Sequence, residues 1–260
     1  MKTVAWALAL TLLAGCATGP YVDDSFRAPA QGSRIRFLVI HYTHADFDET
    51  MRIMAGPDVS YHYVVRAKPP TIFRLVEEDR RANHAGVSSW RGYALLNDSS
   101  IGIAIVNRGP GETDGGTTPE QWAEYPEAQV QLVMELVRDI VKRQGIRPEF
   151  IVGHSDIAPQ RKIDPGPRFP WKRLADAGLI KWPDAAKVAE RLPGYERELP
   201  EIEWFQLLLR RHGFEVPLHG ELDPATRNVV RAFQMKYRPA KHDGLPDAET
   251  AAILDALVNS

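Results

Sequence analysis

The stretch GHSDIAPQRKIDPGP, Gly153 to Pro167, decides how the rest of the chain is read. It sets a histidine, His154, and a carboxylate, Asp164, ten positions apart around a proline-containing loop, so that both can return to one point. Just before it, Phe150 to Val152 is a short apolar run that reads as a buried strand ending at Gly153 and His154. Far upstream a second histidine stands in the same relation to a strand. Ile35 to Ile40 is an apolar run rich in branched residues, and His41 closes it. A side chain at such a place emerges from a rigid element into whatever cleft lies above the sheet. Either histidine alone reads as an ordinary core or surface group, and the loop between His154 and Asp164 is what changes that reading.

Two imidazoles and one carboxylate suit a catalytic zinc ion. Such a site keeps its fourth position open for water, whose pKa falls to about 7, so that hydroxide is available at neutral pH. Cys16 is the only cysteine, which excludes thiolate ligands and any internal disulfide, and leaves stability to burial. Lys162 lies two residues before Asp164 and in an extended stretch points to the same side. There its ammonium can stabilise the oxyanion that develops when an amide carbonyl is attacked. Outside this motif it would read as a solvated surface lysine.

Around these residues an α/β fold takes shape, a central mixed β-sheet flanked by helices. Tyr61 to Arg66 and Ile101 to Val106 are further strand candidates. Thr118, Pro119 and Gln121 read as an N-cap, a first-turn proline and a capping partner. Beyond Pro126, the spacing of Val130, Val133, Met134, Val137, Ile140 and Val141 predicts an amphipathic helix that Gly145 terminates and that covers the sheet. From Trp182 to Pro200 charge and proline mark a linker with one helical stretch. Three short helices follow. Their faces are Ile202, Phe205, Leu208 and Leu209, closed by Gly213; Val229, Val230 and Phe233, after an Asp223 cap and Pro224; and Ile253, Leu254 and Leu257. The turn Gly220-Glu221-Leu222 with Thr226 is echoed by Asp243-Gly244-Leu245 with Thr250, an internal repeat. The expected division is 34–182 for the α/β domain, 183–200 for the linker and 201–260 for a small three-helix domain, near the lower size limit for an independent core.

The first residues read as a signal for export. Lys2, the apolar run Val4 to Leu13 and the small residues after it have the layout of a secretory signal peptide, and the run is shorter than the ~20 residues a membrane span needs. Leu13-Ala14-Gly15-Cys16 looks like a bacterial lipobox, with cleavage after residue 15 leaving Cys16 lipidated. Ala17 resembles the sorting pattern of outer-membrane lipoproteins facing the periplasm. Residues 16–33, rich in Gly, Pro, Ser and Asp, suit a tether. A formal net charge of -2, with Lys and Arg spread along the chain, offers no footprint for nucleic acid.

Together, Gly153 to Pro167, the strand ending at His41, Ser60 to Tyr63, Asn83 to Gly86 and Ser100 to Asn107 resemble the zinc N-acetylmuramoyl-L-alanine amidases of the T7-lysozyme and peptidoglycan-recognition-protein fold. The resemblance covers roughly Arg34 to Trp182. It implies zinc ligands His41, His154 and Asp164, a transition-state role for Lys162, His84 beside the substrate, and Asn83 and Trp90 along the groove. The C-terminal unit, with its two turns and the Phe233-Gln234 pair, resembles a three-helix peptidoglycan-binding domain, which would raise the effective substrate concentration at the amidase domain.

One departure matters. The strand from Ile101 to Val106 should carry a glutamate that takes the proton from water, and Ala104 stands there instead. A methyl group accepts no proton, and losing a positioned general base costs about 10² to 10⁴ in rate. Glu112, the next acid, sits on a loop beyond Gly109, Pro110 and Gly111 and is not assigned the role. Three readings follow: an engineered inactive variant, a natural binding pseudoenzyme, or an enzyme that recruits another base such as His84. The first accounts for the retention of every other matching position. The expected function is therefore zinc-dependent hydrolysis of the bond between N-acetylmuramic acid and L-alanine, impaired at proton transfer, with a non-catalytic peptidoglycan-binding protein as the alternative.

Overall fold

β1 (Phe37–Tyr42) is buried at every position, and the computed structural model is organised around it. The structure describes residues 19–20, 22–111, 116 and 118–259; the expected signal peptide, Cys16 and Glu112 lie outside them. After β1 come α1 (Phe47–Met54), β2 (Tyr63–Arg66), β3 (Thr71–Arg74), β4 (Ser89–Trp90), β5 (Tyr93–Ala94) and β6 (Ser100–Ile105). Then follow α2 (Glu127–Gln144), β7 (Ile151–Gly153), α3 (His154–Ile157), α4 (Trp171–Asp176), α5 (Ala185–Arg197), α6 (Ile202–His212), α7 (Pro224–Tyr237) and α8 (Ala248–Val258).

The main sheet runs β3-β2-β6-β1-β7. β2, β6, β1 and β7 are parallel, and β3 returns antiparallel at the edge. The expected mixed sheet is therefore present, with β1 reaching two residues further than its apolar run and carrying His41 inside the strand. Leu38, Val39, Ile40, Ile101, Ile103 and Ile105 are fully buried. Each such side chain contributes about 1.5–3 kcal/mol over exposure, which makes β1 and β6 rigid supports for what they carry. The register sets His41 directly beside Ala104, and Ala104 beside Val64.

α2 ends where expected, Gly145 adopting the left-handed conformation that closes it (φ 68°). It also starts where the apolar spacing put it, after its N-cap Pro126, while Thr118 and Gln121 cap a separate 3-10 turn. Gln129, fully buried on α2, donates to the carbonyls of Val65 (2.9 Å) and Val106 (3.0 Å) and so satisfies the ends of two strands. α1, β3 and the β4–β5 hairpin were not anticipated.

The C-terminal repeat has a physical basis in two buried glutamines. Gln206 on α6 donates to Glu221 O and Thr226 Oγ1 and accepts from Gly220 N, at 3.0, 2.8 and 2.8 Å. Gln234 on α7 does the same with Leu245 O, Thr250 Oγ1 and Gly244 N, at 2.8, 3.1 and 2.8 Å. Each glutamine staples the turn that leads into the next helix, whose first turn Asp223 or Asp247 caps. Within 183–200, α5 lies along α8, where Tyr195 donates to Asp255 (3.0 Å) and Arg191 pairs with the same carboxylate (3.2 Å). Ser33–Ser260 form one compact unit. Residues 22–32 contain neither helix nor strand.

Candidate metal centre

His41 leaves the middle of the sheet, His154 opens α3 directly after β7, and Asp164 closes the loop that follows. Their side chains meet: His41 Nδ1 and His154 Nδ1 are 3.0 Å apart, and Asp164 Oδ2 is 3.1 Å from each. All three residues are buried, His41 completely. Ser155 N donates to Asp164 O (2.8 Å), which ties the two ends of the loop beside both ligand candidates.

The tautomers follow from the surrounding hydrogen bonds. Ser100 Oγ donates to Leu96 O (2.5 Å), so it accepts from His84 Nε2 (3.0 Å). That leaves His84 Nδ1 bare to accept from His41 Nε2 (3.0 Å), and His41 Nδ1 therefore carries a lone pair. His154 Nε2 donates to Ala85 O (3.3 Å), so its Nδ1 is bare as well. Two nitrogen lone pairs facing each other across 3.0 Å, with an anionic oxygen beside them, repel unless a cation lies between. A tetrahedral ion with bonds of about 2.0–2.1 Å would hold its ligands about 3.3 Å apart, close to these separations. The donor set thus fits a metal ion, and its outer partners fix each ring as such ligands require. Burial, then the neighbouring His154, pushes His41 down to about 4, so its ring stays neutral. Asp164 is held far below the usual carboxylate range, because the two histidines outweigh its desolvation.

A cleft of about 490 Å³ opens beside the three donors. Tyr61, Asn83, His84, His154, Arg161 and Lys162 are on its wall. Asn83 and Lys162 both line the cleft. His84 touches the cleft, yet both its nitrogens point to protein partners, which makes it a support for His41. The 83–86 turn is fixed by Asn97 Oδ1, which accepts from His84 N (3.0 Å) and Ala85 N (2.7 Å). Trp90 is elsewhere. Its indole donates to Glu149 O (2.9 Å) and packs edge-on against Phe214 (4.9 Å), away from the cleft wall. Expected on the groove, it instead joins the β4–β5 hairpin to the end of α6, because a buried indole needs both an apolar wall and an acceptor.

Ala104 is fully buried in a small cluster with Tyr61 and Val64. Tyr61 also packs edge-on against His41 (centroids 5.0 Å), and its hydroxyl has no hydrogen-bond partner among the described residues. Burial, together with the charge of Asp164, raises its pKa, so it remains a donor at neutral pH. Sequence reading gave it no role, although it opens the expected strand Tyr61 to Arg66, of which Tyr63–Arg66 form β2.

The chain has counterparts among known proteins. Residues 31–167 match the family model described as N-acetylmuramoyl-L-alanine amidase, and 198–254 match one for a peptidoglycan binding domain. The N-acetylmuramoyl-L-alanine amidase AmiD of Escherichia coli (strain K12) is 42% identical over 276 residues, spanning 99% of this chain and 98% of the relative. The solved complex of E. coli AmiD with the substrate anhydro-N-acetylmuramic acid-L-Ala-D-gamma-Glu-L-Lys superposes with a TM-score of 0.81, covering 92% of this chain and 94% of that one. AMPDH3 from Pseudomonas aeruginosa, solved with anhydromuramic pentapeptide, gives a TM-score of 0.83 at 40% identity over 91% of this chain and 97% of its own. Shared sequence along nearly the whole length, on a common fold, leads to one assignment: the chain belongs to the N-acetylmuramoyl-L-alanine amidase family.

Proposed function

We propose that this protein is a zinc-dependent amidase that cleaves the bond between N-acetylmuramic acid and L-alanine in peptidoglycan or released muropeptides. The observation that carries this reading is the meeting of His41 Nδ1, His154 Nδ1 and Asp164 Oδ2 within 3.1 Å of one another at the cleft. The muropeptide ligands of the AmiD and AMPDH3 structures support the substrate class. A zinc ion held by these three groups would supply Lewis acidity and lower the pKa of a bound water to about 7.

The remaining chemistry belongs to the chain. Lys162, half-buried on the cleft wall, donates to the carbonyl oxygen of the substrate as negative charge builds there. Tyr61, on the same cleft wall and packed against His41, offers a second donor. Arg81, Arg161 and Lys162 on the cleft wall, with Asp58 the acid among its lining residues and Arg81 paired with Asp98 (3.5 Å), favour a stem peptide bearing carboxylates. At position 104 no group takes a proton, so we assign a chemical step slower by about 10²–10⁴ than the same site with a carboxylate there.

A second reading, a wall-binding protein without turnover, draws on the closure of Tyr61 and Val64 over the Ala104 methyl. Stem-peptide release from muropeptides separates the two. Slow zinc-dependent release is expected from this chain, and a gain from Ala104→Glu. If zinc is bound, both proteins are inert and sacculi are still retained, the second reading stands.

We further assign the amidase domain to 34–182, the connecting segment to 183–200 and a wall-binding module to 201–260, the last supported by the peptidoglycan-binding match. By sequence alone, residues 1–15 are a signal peptide and Cys16 a lipidated anchor, placing the protein on the periplasmic face of the outer membrane.

A further inference from the structure

The loop that delivers His154 and Asp164 is gripped by a helix from the other end of the chain. Lys236 on α7 places Nζ 2.7 Å from Asp156 Oδ2, and both side chains are almost completely buried. The same carboxylate oxygen accepts from Gly153 N (2.8 Å), the bond that turns the chain out of β7 and into α3. His154 lies between those two residues, so the tie from Gly153 to Asp156 spans the histidine whose Nδ1 faces the metal position. Lys236 Nζ also sits 4.2 Å above the ring of Trp171. Further round the loop, Gln160 donates to Ala225 O (3.0 Å) and accepts from Asn228 Nδ2 (3.0 Å), both on α7. α7 therefore holds the loop at two points, each between the two ligand candidates in sequence.

We propose that Lys236 is a positioning residue for the metal centre: by balancing the buried Asp156 carboxylate, it keeps the Gly153–Asp156 tie that aims His154 at the ion. A carboxylate buried at this depth is tolerated only with a counter-charge or full hydrogen bonding. Without Lys236 the buried carboxylate loses its counter-charge, and the Gly153 tie that holds the turn bearing His154 loosens. The C-terminal helices are on this account part of the metal site's framework as well as a wall-binding module. The inference rests on the metal reading of His41, His154 and Asp164.

The test measures zinc affinity of the full-length protein by competition with a fluorescent chelator, alongside thermal unfolding of the zinc-free form. Lys236→Met should weaken zinc binding about 10–100-fold, the range found when an outer-shell partner is lost. Lys236→Met combined with Asp156→Asn should return to within a few-fold of the natural chain, because the amide oxygen still takes the Gly153 N–H without a charge to bury. Unchanged affinity in folded Lys236→Met, or a double variant as weak as the single, would overturn the proposal and leave Lys236 a matter of packing. Should Lys236→Met not fold, Lys236→Arg carries the comparison, since a guanidinium cannot reproduce a single 2.7 Å contact beneath Trp171. A several-fold weaker site and a shifted cobalt(II) absorption spectrum are then expected, and no change in either would be fatal. Failure of the natural chain to bind zinc would instead sink the metal reading itself.

Discussion

Gly102 is the most sensitive test of how the metal-binding face is built. A Cβ added there would lie 2.5 Å from His84 Cγ, 2.6 Å from Nδ1 and 2.7 Å from Cδ2, closer than atoms can approach. The His84 ring is buried and held from both sides, by His41 Nε2 and by Ser100 Oγ, so it can retreat only by breaking those bonds. Overpacking costs about 1–3 kcal/mol, and each buried group left without its partner about 1–3 kcal/mol more. Gly102→Ala should therefore cost about 3 kcal/mol or more, which for a body of this size lowers the melting temperature by about 6–12 °C. The sharper expectation is non-additivity. In a His84→Ala background the added methyl group enters the space the ring has vacated, and the same Gly102→Ala change should cost less than about 1 kcal/mol, a coupling of about 2 kcal/mol. Calorimetry on the four zinc-free proteins of this cycle measures it. Equal costs in both backgrounds would show that His84 does not pack over β6 as described.

Other consequences follow from the same structure. Trp90→Ala should lose about 3–5 kcal/mol of stability through its contacts with Phe214, while KM for a soluble muropeptide stays unchanged, because the indole is away from the cleft. Gln234→Met should destabilise the C-terminal helices by about 2–4 kcal/mol, seen in denaturant titration, since Gly244 N and Leu245 O lose their partner while Thr250 Oγ1 keeps its bond to Asp247. For the zinc-free protein, the unfolded chain protonates His41 below about 6.5 whereas the folded one resists down to about 4. Its contribution to stability is thus full above 6.5 and declines as pH falls from 6.5 towards 4, a slope that His41→Phe should reduce. Palmitate labelling should mark the natural protein in cells, and Cys16→Ser should abolish the label and release the protein into the soluble fraction.

Much of the site was legible because its parts are local. The apolar residues Phe37 to Ile40 announce β1 and lead to His41, and a fifteen-residue motif holds both other ligand candidates in order. The repeat 206–226 and 234–250 was visible as turns, though the glutamines that explain it act across 10 to 20 residues. β3 escaped because Thr71–Arg74 is a four-residue edge strand, partly exposed, with no alternation to betray it. α1 had a usable signal, the Asp46 cap with Asp48 and Glu49 in the first turn, and it was overlooked. Lys236 lies 80 residues from Asp156, and nothing in its own helix marks it as buried. Trp90 went astray for a related reason. A tryptophan beside a predicted groove reads as substrate-facing until the helix that covers it is known.

Everything functional in this account depends on one ion bound by His41, His154 and Asp164. Elemental analysis of the purified, zinc-equilibrated and dialysed protein tests that directly. One zinc per chain is expected, falling to near zero in Asp164→Ala with the fold retained by circular dichroism. A metal-free unsubstituted protein, or full occupancy in Asp164→Ala, would contradict it.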